Sequence, residues 1–210
     1  MYAPTFNALT VFSGADEDPL SEGGAWPGVV QSTVTRMRRV SGQAAANNAA
    51  APSDAYHSMG LAADHGAAAQ IPVLPGAGSG IGVCCRVHNP GNASTAEKII
   101  GVYHPGTGFR IFDMLTGGGS FPQVGSTNAT TMAAGESLWL EVIGSTATLW
   151  HLTGGVWLPR VTGTTSISGA GFAGIQCDDN VGRLGSFAAG PVVQGASSWA
   201  TFPKPNLRRA

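Results

Sequence analysis

The chain has 210 residues, a formal net charge of −1 and 11% charged residues, against about a quarter in an average soluble domain. This length suits one sizeable domain, and so little charge excludes coiled coils and long charged helices. The basic residues form no run longer than Arg38-Arg39, which excludes the charge pattern of a nucleic-acid-binding protein or of a protein held electrostatically at a membrane.

The cysteines and the first residues indicate the cellular compartment in which the protein folds. No apolar run is long enough for a transmembrane helix, and the start lacks the basic region and apolar stretch of a signal peptide. Cys84, Cys85 and Cys177 are odd in number and two of them are adjacent, which makes a poor disulfide framework. We therefore expect folding in a reducing cytoplasm.

Short apolar segments separated by glycine, proline and clusters of serine and threonine predict an all-β protein. In the first half we predict edge strands near 11–12 and 56–61. A strand with one solvated side is predicted within 29–40, and a central strand at 80–87. The segment 43–52 suits either a short helix or a loop.

The second half contains two predicted hairpins. Segments 98–103 and 109–114 flank a loop rich in proline and glycine. Segment 137–143 has the period of a strand, with Leu138, Leu140 and Val142 on one face and Trp139, Glu141 and Ile143 on the other. Gly144-Ser145 suits a type II′ turn into 146–152. With Gly154-Gly155 as a further turn and a strand at 172–177, roughly ten strands result, as in a two-sheet jelly roll.

The last segment differs from the rest. We divide the chain into an N-terminal arm at 1–10, a sandwich domain at 11–189 and an extended C-terminal arm at 190–210. Large apolar side chains between prolines need a covering surface, which predicts docking on a neighbouring chain; docking on the chain's own sandwich is the alternative. The apolar groups would be buried and the arginines would pair with acidic groups of the partner. The predicted partner-binding residues are Trp199, Phe202, Leu207, Arg208 and Arg209.

The opening segment 11–20, followed by Gly23-Gly24-Ala25-Trp26, resembles the start of concanavalin A-like, laminin-G-type jelly-roll modules, which are common in bacteriophage virion proteins. Segments 135–145 and 168–174 are similar to the later strands of those modules. The resemblance implies an all-β, two-sheet antiparallel jelly-roll sandwich and a virion context.

Catalytic motifs are absent from the sequence. It contains no Gly-x-Ser-x-Gly elbow, no Walker lysine loop and no His-Glu-x-x-His helix. Glycoside hydrolases need two carboxylates about 5 to 10 Å apart. Glu136 and Glu141 are five residues apart, which would aim them at opposite faces of one strand, with Glu141 towards solvent. We therefore predict a protein that is not an enzyme.

Two sets of residues are candidates for ligand binding. Trp139 and Trp157 are the best candidates for platforms on which a sugar ring could stack, with packing in a core or interface as the alternative. Two acidic clusters offer hard oxygen ligands for Ca²⁺ if the fold brings them together, with two solvated turns as the alternative. The candidate calcium ligands are Asp16, Asp18, Asp178 and Asp179.

The sequence and the resemblance together predict a non-enzymatic bacteriophage virion structural protein, either a head decoration or cementing protein or a minor tail component. It would be made in the host bacterial cytoplasm and would assemble through its terminal arms with copies of itself and other virion proteins. No nucleic acid, membrane or cofactor other than Ca²⁺ is expected. The alternative is a carbohydrate-binding adhesin that attaches the particle to a host-surface glycan.

Overall fold

The computed structural model describes residues 8–30, 34–48, 52–92, 94–115 and 120–192. These residues form fourteen β-strands in two sheets, with the 3-10 turn Glu22–Gly24 as their single helical element, which confirms the predicted all-β sandwich. None of their helical residues form a segment long and apolar enough to cross a membrane. The strands are β1 (Ala8–Thr10), β2 (Thr35–Val40), β3 (Gln43–Ala46), β4 (Ser53–Tyr56), β5 (His65–Gln70), β6 (Ile81–His88), β7 (Glu97–His104), β8 (Gly108–Met114), β9 (Gln123–Asn128), β10 (Ser137–Ile143), β11 (Thr146–Thr153), β12 (Val156–Thr164), β13 (Phe172–Cys177) and β14 (Ser186–Pro191).

One sheet has six strands in the order β1-β14-β5-β10-β11-β12, and the other has eight in the order β3-β2-β4-β13-β6-β7-β8-β9. Nearly all neighbours are antiparallel, as predicted. The exception is β2, which pairs with β4 in parallel through Thr35 with Ser53 and Arg36 with Asp54. The eight-stranded sheet is therefore mixed rather than wholly antiparallel.

The main core lies between the sheets, where period-two alternation directs apolar side chains inwards. Leu138 and Leu140 of β10 are fully buried there against residues such as Ile81 and Val83 of β6. A second, smaller cluster that includes Ile100 and Val102 lies on the outer face of the eight-stranded sheet. Both faces of this sheet are therefore partly covered.

The predicted hairpin turns are confirmed. Gly144 has φ of +55° and Ser145 has no positive φ, which is the type II′ pattern. Gly154 and Gly155 have φ of +57° and +79°, which is the type I′ pattern. Each turn joins neighbouring antiparallel strands, so β10, β11 and β12 form one meander.

Several predicted boundaries differ from the structure. The segment predicted as helix or loop contains strand β3, and the predicted edge strands at 11–12 and 56–61 lie at β1 and β4 instead. Strand β1 and the last residues of β14 lie inside the sandwich, because β1 pairs with β14 and β14 pairs with β5. The sandwich therefore extends slightly beyond the predicted limits of 11 and 189 at both ends.

All three cysteines are free and fully buried. Burial raises the pKa of Cys84 and Cys177 to about 12, which keeps both groups as thiols. They therefore act as small apolar residues that fill the sandwich and its outer cluster.

Candidate functional site

The outer face of the eight-stranded sheet carries a row of polar and small residues across six strands. Starting at β2, the paired positions are Arg36, Asp54, Gln176, Gly82, Val102 and Arg110. Because residues two apart on a strand share a face, Lys98, Ile100 and His104 of β7 belong to this face as well.

A buried chain of hydrogen bonds ties this face together. Lys98 Nζ donates to Asp54 Oδ2 at 2.7 Å and to Gln176 Oε1 at 2.8 Å. Gln176 Nε2 donates in turn to Asp178 Oδ1 at 3.0 Å. Lys98 and Asp54 are each only 1% exposed. Burial opposes the charge of Lys98, but the attraction and hydrogen bond of the Asp54 carboxylate, together with further nearby acidic groups, outweigh burial and raise the pKa of Lys98, so the ion pair persists.

This ion pair also indicates the shape of the face. Strands β6 and β13 lie between β7 and β4, so Lys98 and Asp54 start from strands that a flat sheet would hold about 14 Å apart. The 2.7 Å contact between their side chains therefore indicates that the sheet twists and curves towards this face along the line that joins them. We call it the concave face.

A hollow of about 180 Å³ opens on the concave face between β13 and the start of β9. Ile100 and Val102 form its apolar floor, and Gly82 contributes no side chain between Val102 and Gln176. The remaining lining residues form two groups. The aromatic residues Phe112 and Phe121 lie on the β8–β9 side, and the polar residues His104, Gln176 and Asp178 lie towards β13.

The polar end of this hollow is held in place by Gly80. The backbone N–H of Gly80 donates to Asp178 Oδ2 at 2.9 Å. A Cβ at this position would lie 2.8 Å from both Asp178 Oδ2 and His104 Nε2, so any other residue would displace these two side chains from their present positions. Burial lowers the pKa of His104, nearby Arg110 adds to this effect and Asp178 opposes it. His104 is therefore neutral near pH 7 and can both donate and accept a hydrogen bond.

The polar groups that the described residues contribute to the hollow are one carboxylate, one amide and one imidazole. Among the described residues that line it, Asp178 is the only carboxylic acid. Asp54, the next carboxylate on the face, is buried and paired with Lys98. Glycoside hydrolysis needs a second carboxylate acting across the scissile bond. This arrangement instead offers one anionic acceptor, one amide and one neutral imidazole beside aromatic rings.

The predicted tryptophan platforms lie on the opposite side of the molecule, on the outer face of the six-stranded sheet. Trp139 is 1% exposed and Trp157 is 8% exposed. Trp139 stacks on Trp150 with ring centroids 5.4 Å apart and contacts Trp157 edge-on at 5.8 Å. The rings therefore cover one another, and neither predicted platform presents an open face. Their predicted ligand-binding role stays a prediction.

The same cluster corrects the prediction for Glu141, which is buried rather than solvent-facing. Its Oε2 accepts a hydrogen bond from Trp150 Nε1 at 3.2 Å, and burial raises its pKa. Glu136 lies at the start of the strand, where its Oε2 is 2.7 Å from His151 Nε2. Their partners, Trp150 and His151, are consecutive residues of β11 that project to opposite faces of the sheet, so the two glutamates do not form a catalytic pair.

The four predicted calcium ligands each already accept a hydrogen bond. Asp16 accepts from the Ser41 backbone, Asp18 from Asn47, and Asp178 from Gly80. Asp179 accepts from the backbone of Gly76, Val181 and Gly182. No cluster of three or more His, Cys, Asp or Glu side chains in the described part of the chain could hold a metal ion. Calcium binding stays a prediction that these contacts do not support.

The predicted arm residues Trp199, Phe202, Leu207, Arg208 and Arg209 lie outside the described residues. The predictions that depend on them, namely docking on a neighbouring chain, virion assembly and a virion location, therefore stay predictions.

The residues of the concave face are not among the sequence-predicted site residues, except Asp178. The sequence contains part of the information that locates this face, because alternation in the predicted hairpin places Ile100, Val102 and Phe112 on one face of β7 and β8. The partners from β13 and β4 depend on which strands become neighbours, which no local pattern indicates.

Comparison with known proteins shows the fold. No family model matches the chain, and no curated protein matches it significantly. The carbohydrate-binding module CBM66 from Bacillus subtilis has a TM-score of 0.51 at 11% identity, over 91% of this chain and 98% of its own. The exoplasmic/lumenal domain of VIP36, in a form bound to Ca²⁺ and Man3GlcNAc, has a TM-score of 0.52 at 12% identity, over 77% of this chain and 83% of its own.

The GH43 protein BlXynB from Bacillus licheniformis has a TM-score of 0.54 at 13% identity over 87% of this chain. This chain spans only 39% of that protein, so the similarity concerns one part of it. These similarities confirm the concanavalin A-like jelly-roll sandwich that the sequence resemblance implies.

Proposed function

We propose that this protein is a carbohydrate-binding module whose binding surface is the concave face. The observation that carries the proposal is the hollow in which Phe112 and Phe121 oppose Gln176, Asp178 and His104. A sugar ring presents an apolar C–H surface and a rim of hydroxyl groups. It therefore needs an aromatic contact on one side and hydrogen-bonding groups on the other.

The state of the side chains supports this assignment. Phe121 is 47% exposed, so its ring is accessible to a ligand. Asp178 and Gln176 are fixed by the buried chain that leads to Lys98, so their polar atoms are already oriented before a sugar arrives. Such preorganisation lowers the entropic cost of binding.

The fold neighbours support the same class of function. One is itself a carbohydrate-binding module, and another is described in a glycan-bound form. The single carboxylate in the hollow supports binding without hydrolysis. The module would serve as the predicted adhesin if it is displayed on a particle.

Replacement of Phe121 by alanine is expected to weaken glycan binding at least about 10-fold, which corresponds to about 1.4 kcal/mol, because the exposed aromatic contact is lost. Electrophoresis through gels containing a panel of plant, fungal and bacterial polysaccharides would identify the ligand, and calorimetry would measure the change. Leu158→Ala is the matched control, since Leu158 is an apolar side chain of similar exposure, 38%, on the six-stranded sheet. A wild-type chain that no polysaccharide retards would overturn the proposal, as would equal losses in both variants.

A further inference from the structure

A second hollow of about 410 Å³ lies at the other end of the concave face. Its walls come from the loop before β2, the first strands of the sheet and the turn after β6. It is lined by residues that include Pro27, Gly28, Val34, Arg36, Tyr56 and Pro90. Arg36 lies opposite Asp54 on the paired strand β2, and Tyr56 lies two residues after Asp54 on β4. The buried Lys98–Asp54 pair therefore lies between the two hollows.

The charge of the second hollow is positive and unbalanced. Arg36 forms no ion pair with any described residue, and none of the described lining residues is acidic. The acidic group nearest in register, Asp54, is already neutralised by Lys98 and also accepts a hydrogen bond from the Val30 backbone at 2.8 Å. Arg36 therefore keeps its hydrogen-bond donors for a ligand.

Arg38 adds to this imbalance. It follows Arg36 by two residues on the same strand, so both project from the same face of β2. The Nε atom of Arg38 is buried and has no hydrogen-bond partner. A buried guanidinium N–H without an acceptor is costly, and an anionic group nearby would lower that cost electrostatically.

The rest of the lining indicates what kind of anion fits. The ring of Tyr56 packs against that of Phe172 in a tilted arrangement, with ring centroids 5.4 Å apart, which restricts its orientation. Pro27 and Pro90 provide rigid apolar surface at the rim. A small inorganic anion would leave these surfaces unused. A ring that carries a carboxylate would use both parts of the hollow, since a guanidinium binds carboxylates in a bidentate manner.

We infer that the second hollow is a subsite for a hexuronic acid unit, with Arg36 binding its carboxylate and Tyr56 contacting its ring. The inference rests on the proposed function and names its ligand class: a polysaccharide with acidic sugar units that extends along the concave face from one hollow to the other.

The test compares uronic-acid polysaccharides with their own carboxyl-reduced, neutral counterparts, using polygalacturonate, alginate and glucuronan as probes. We expect the wild-type chain to bind at least one acidic polymer about 10-fold or more tightly than its reduced form, with the preference falling as salt is added. Arg36→Gln should abolish the preference. Arg36→Lys should retain part of it, because lysine keeps the charge and loses the planar fork.

Arg183→Gln is the control, since it removes the same charge from the loop before β14 and should leave the preference unchanged. Binding of neutral polysaccharides with no acidic preference, or an acidic preference that survives in Arg36→Gln, would overturn this inference and leave the proposed function intact. Failure of the wild-type chain to bind any polysaccharide, acidic or neutral, would overturn both. Circular dichroism of each variant verifies that the fold is retained.

Discussion

Replacement of Lys98 by methionine is expected to lower the free energy of unfolding by about 3 to 5 kcal/mol. Methionine matches the length of the aliphatic stem but removes the ammonium group from a site that is 1% exposed. The Asp54 carboxylate would then be buried without its cation, and Gln176 Oε1 would lose a donor. An uncompensated buried charge is among the costliest defects a single substitution can create.

Urea unfolding followed by tryptophan fluorescence measures this change. The double variant Lys98→Met/Asp54→Asn should recover more than half of the loss, because it leaves no unpaired charge while the side chain at 54 still accepts from the Val30 backbone. Arg110→Met is the matched control: it removes a partly exposed cation from the neighbouring strand and should cost less than about 1 kcal/mol. Equal destabilisation of the single and double variants would show that packing, rather than charge, sets the effect.

Replacement of Lys98 is expected to affect the proposed binding site as well as the stability of the fold. Lys98 holds Gln176, and Gln176 holds Asp178, the anionic acceptor of the smaller hollow. A buried ion pair stabilises a fold only weakly compared with apolar packing of the same volume. In this molecule the pair has a second effect, because it fixes polar side chains that would otherwise occupy several rotamers.

The elements that the sequence predicts well are those with a strong local pattern. Strand β10 repeats large apolar residues at every second position, β6 is mostly apolar, and the turns around Gly144 and Gly154 contain the glycines that positive φ requires. Each of these signals acts within a few residues, so no knowledge of the partner strand is needed.

Strand β5 shows why other elements escape prediction. Its residues are His65, Gly66, three alanines and Gln70, and alanine and glycine have weak strand preference. It is a strand because β10 and β14 pair with it on both sides. The small residues of β5 also leave room for the side chains of the neighbouring strand, since a Cβ on Gly66 would lie 2.4 Å from the Trp139 indole nitrogen.

The candidate site is predictable only in part for the same reason. The β7–β8 hairpin can be derived from its loop, and its register places Val102 opposite Arg110 and Ile100 opposite Phe112. Gln176 and Asp54 come from strands that are far away in the sequence. Strand β13 pairs with β6, and β4 pairs with β13, so both residues reach the site only through the order of strands in the sheet. For the tryptophans, the alternation along the strand assigns Trp139 to the correct face of the sheet. It does not reveal that neighbouring side chains bury the ring on that face.

Acidification is expected to destabilise the protein through His65, which lies in the core between the sheets and is fully buried. Its Nδ1 is 2.7 Å from the Ala62 carbonyl oxygen, so this nitrogen carries the proton. Its Nε2 accepts a hydrogen bond from the Arg86 backbone N–H at 3.0 Å. A second proton on Nε2 would abolish that bond and place a charge in the core. Burial accordingly lowers the pKa of His65 to about 4.

The sign of the effect follows from proton linkage. The unfolded chain binds a proton at His65 near the ordinary pKa of 6.5, whereas the folded chain does so only near 4. Between these values the unfolded state holds more protons, so stability decreases as the pH falls through this interval, by roughly 3 kcal/mol in total. Above pH 6.5 this contribution is fully present.

Urea unfolding between pH 7 and pH 4 should therefore show a steeper loss of stability in the wild-type chain than in His65→Gln, which lacks the titrating group. The acidic residues titrate alike in both proteins and cancel in the difference. His88→Gln, which alters a partly exposed histidine at the end of β6, should follow the wild-type slope. If His65→Gln does not fold, an NMR titration of the wild-type histidines gives the same answer. A folded-state pKa for His65 near 6.5, or parallel slopes in wild type and variant, would contradict the assignment of acid sensitivity to this residue.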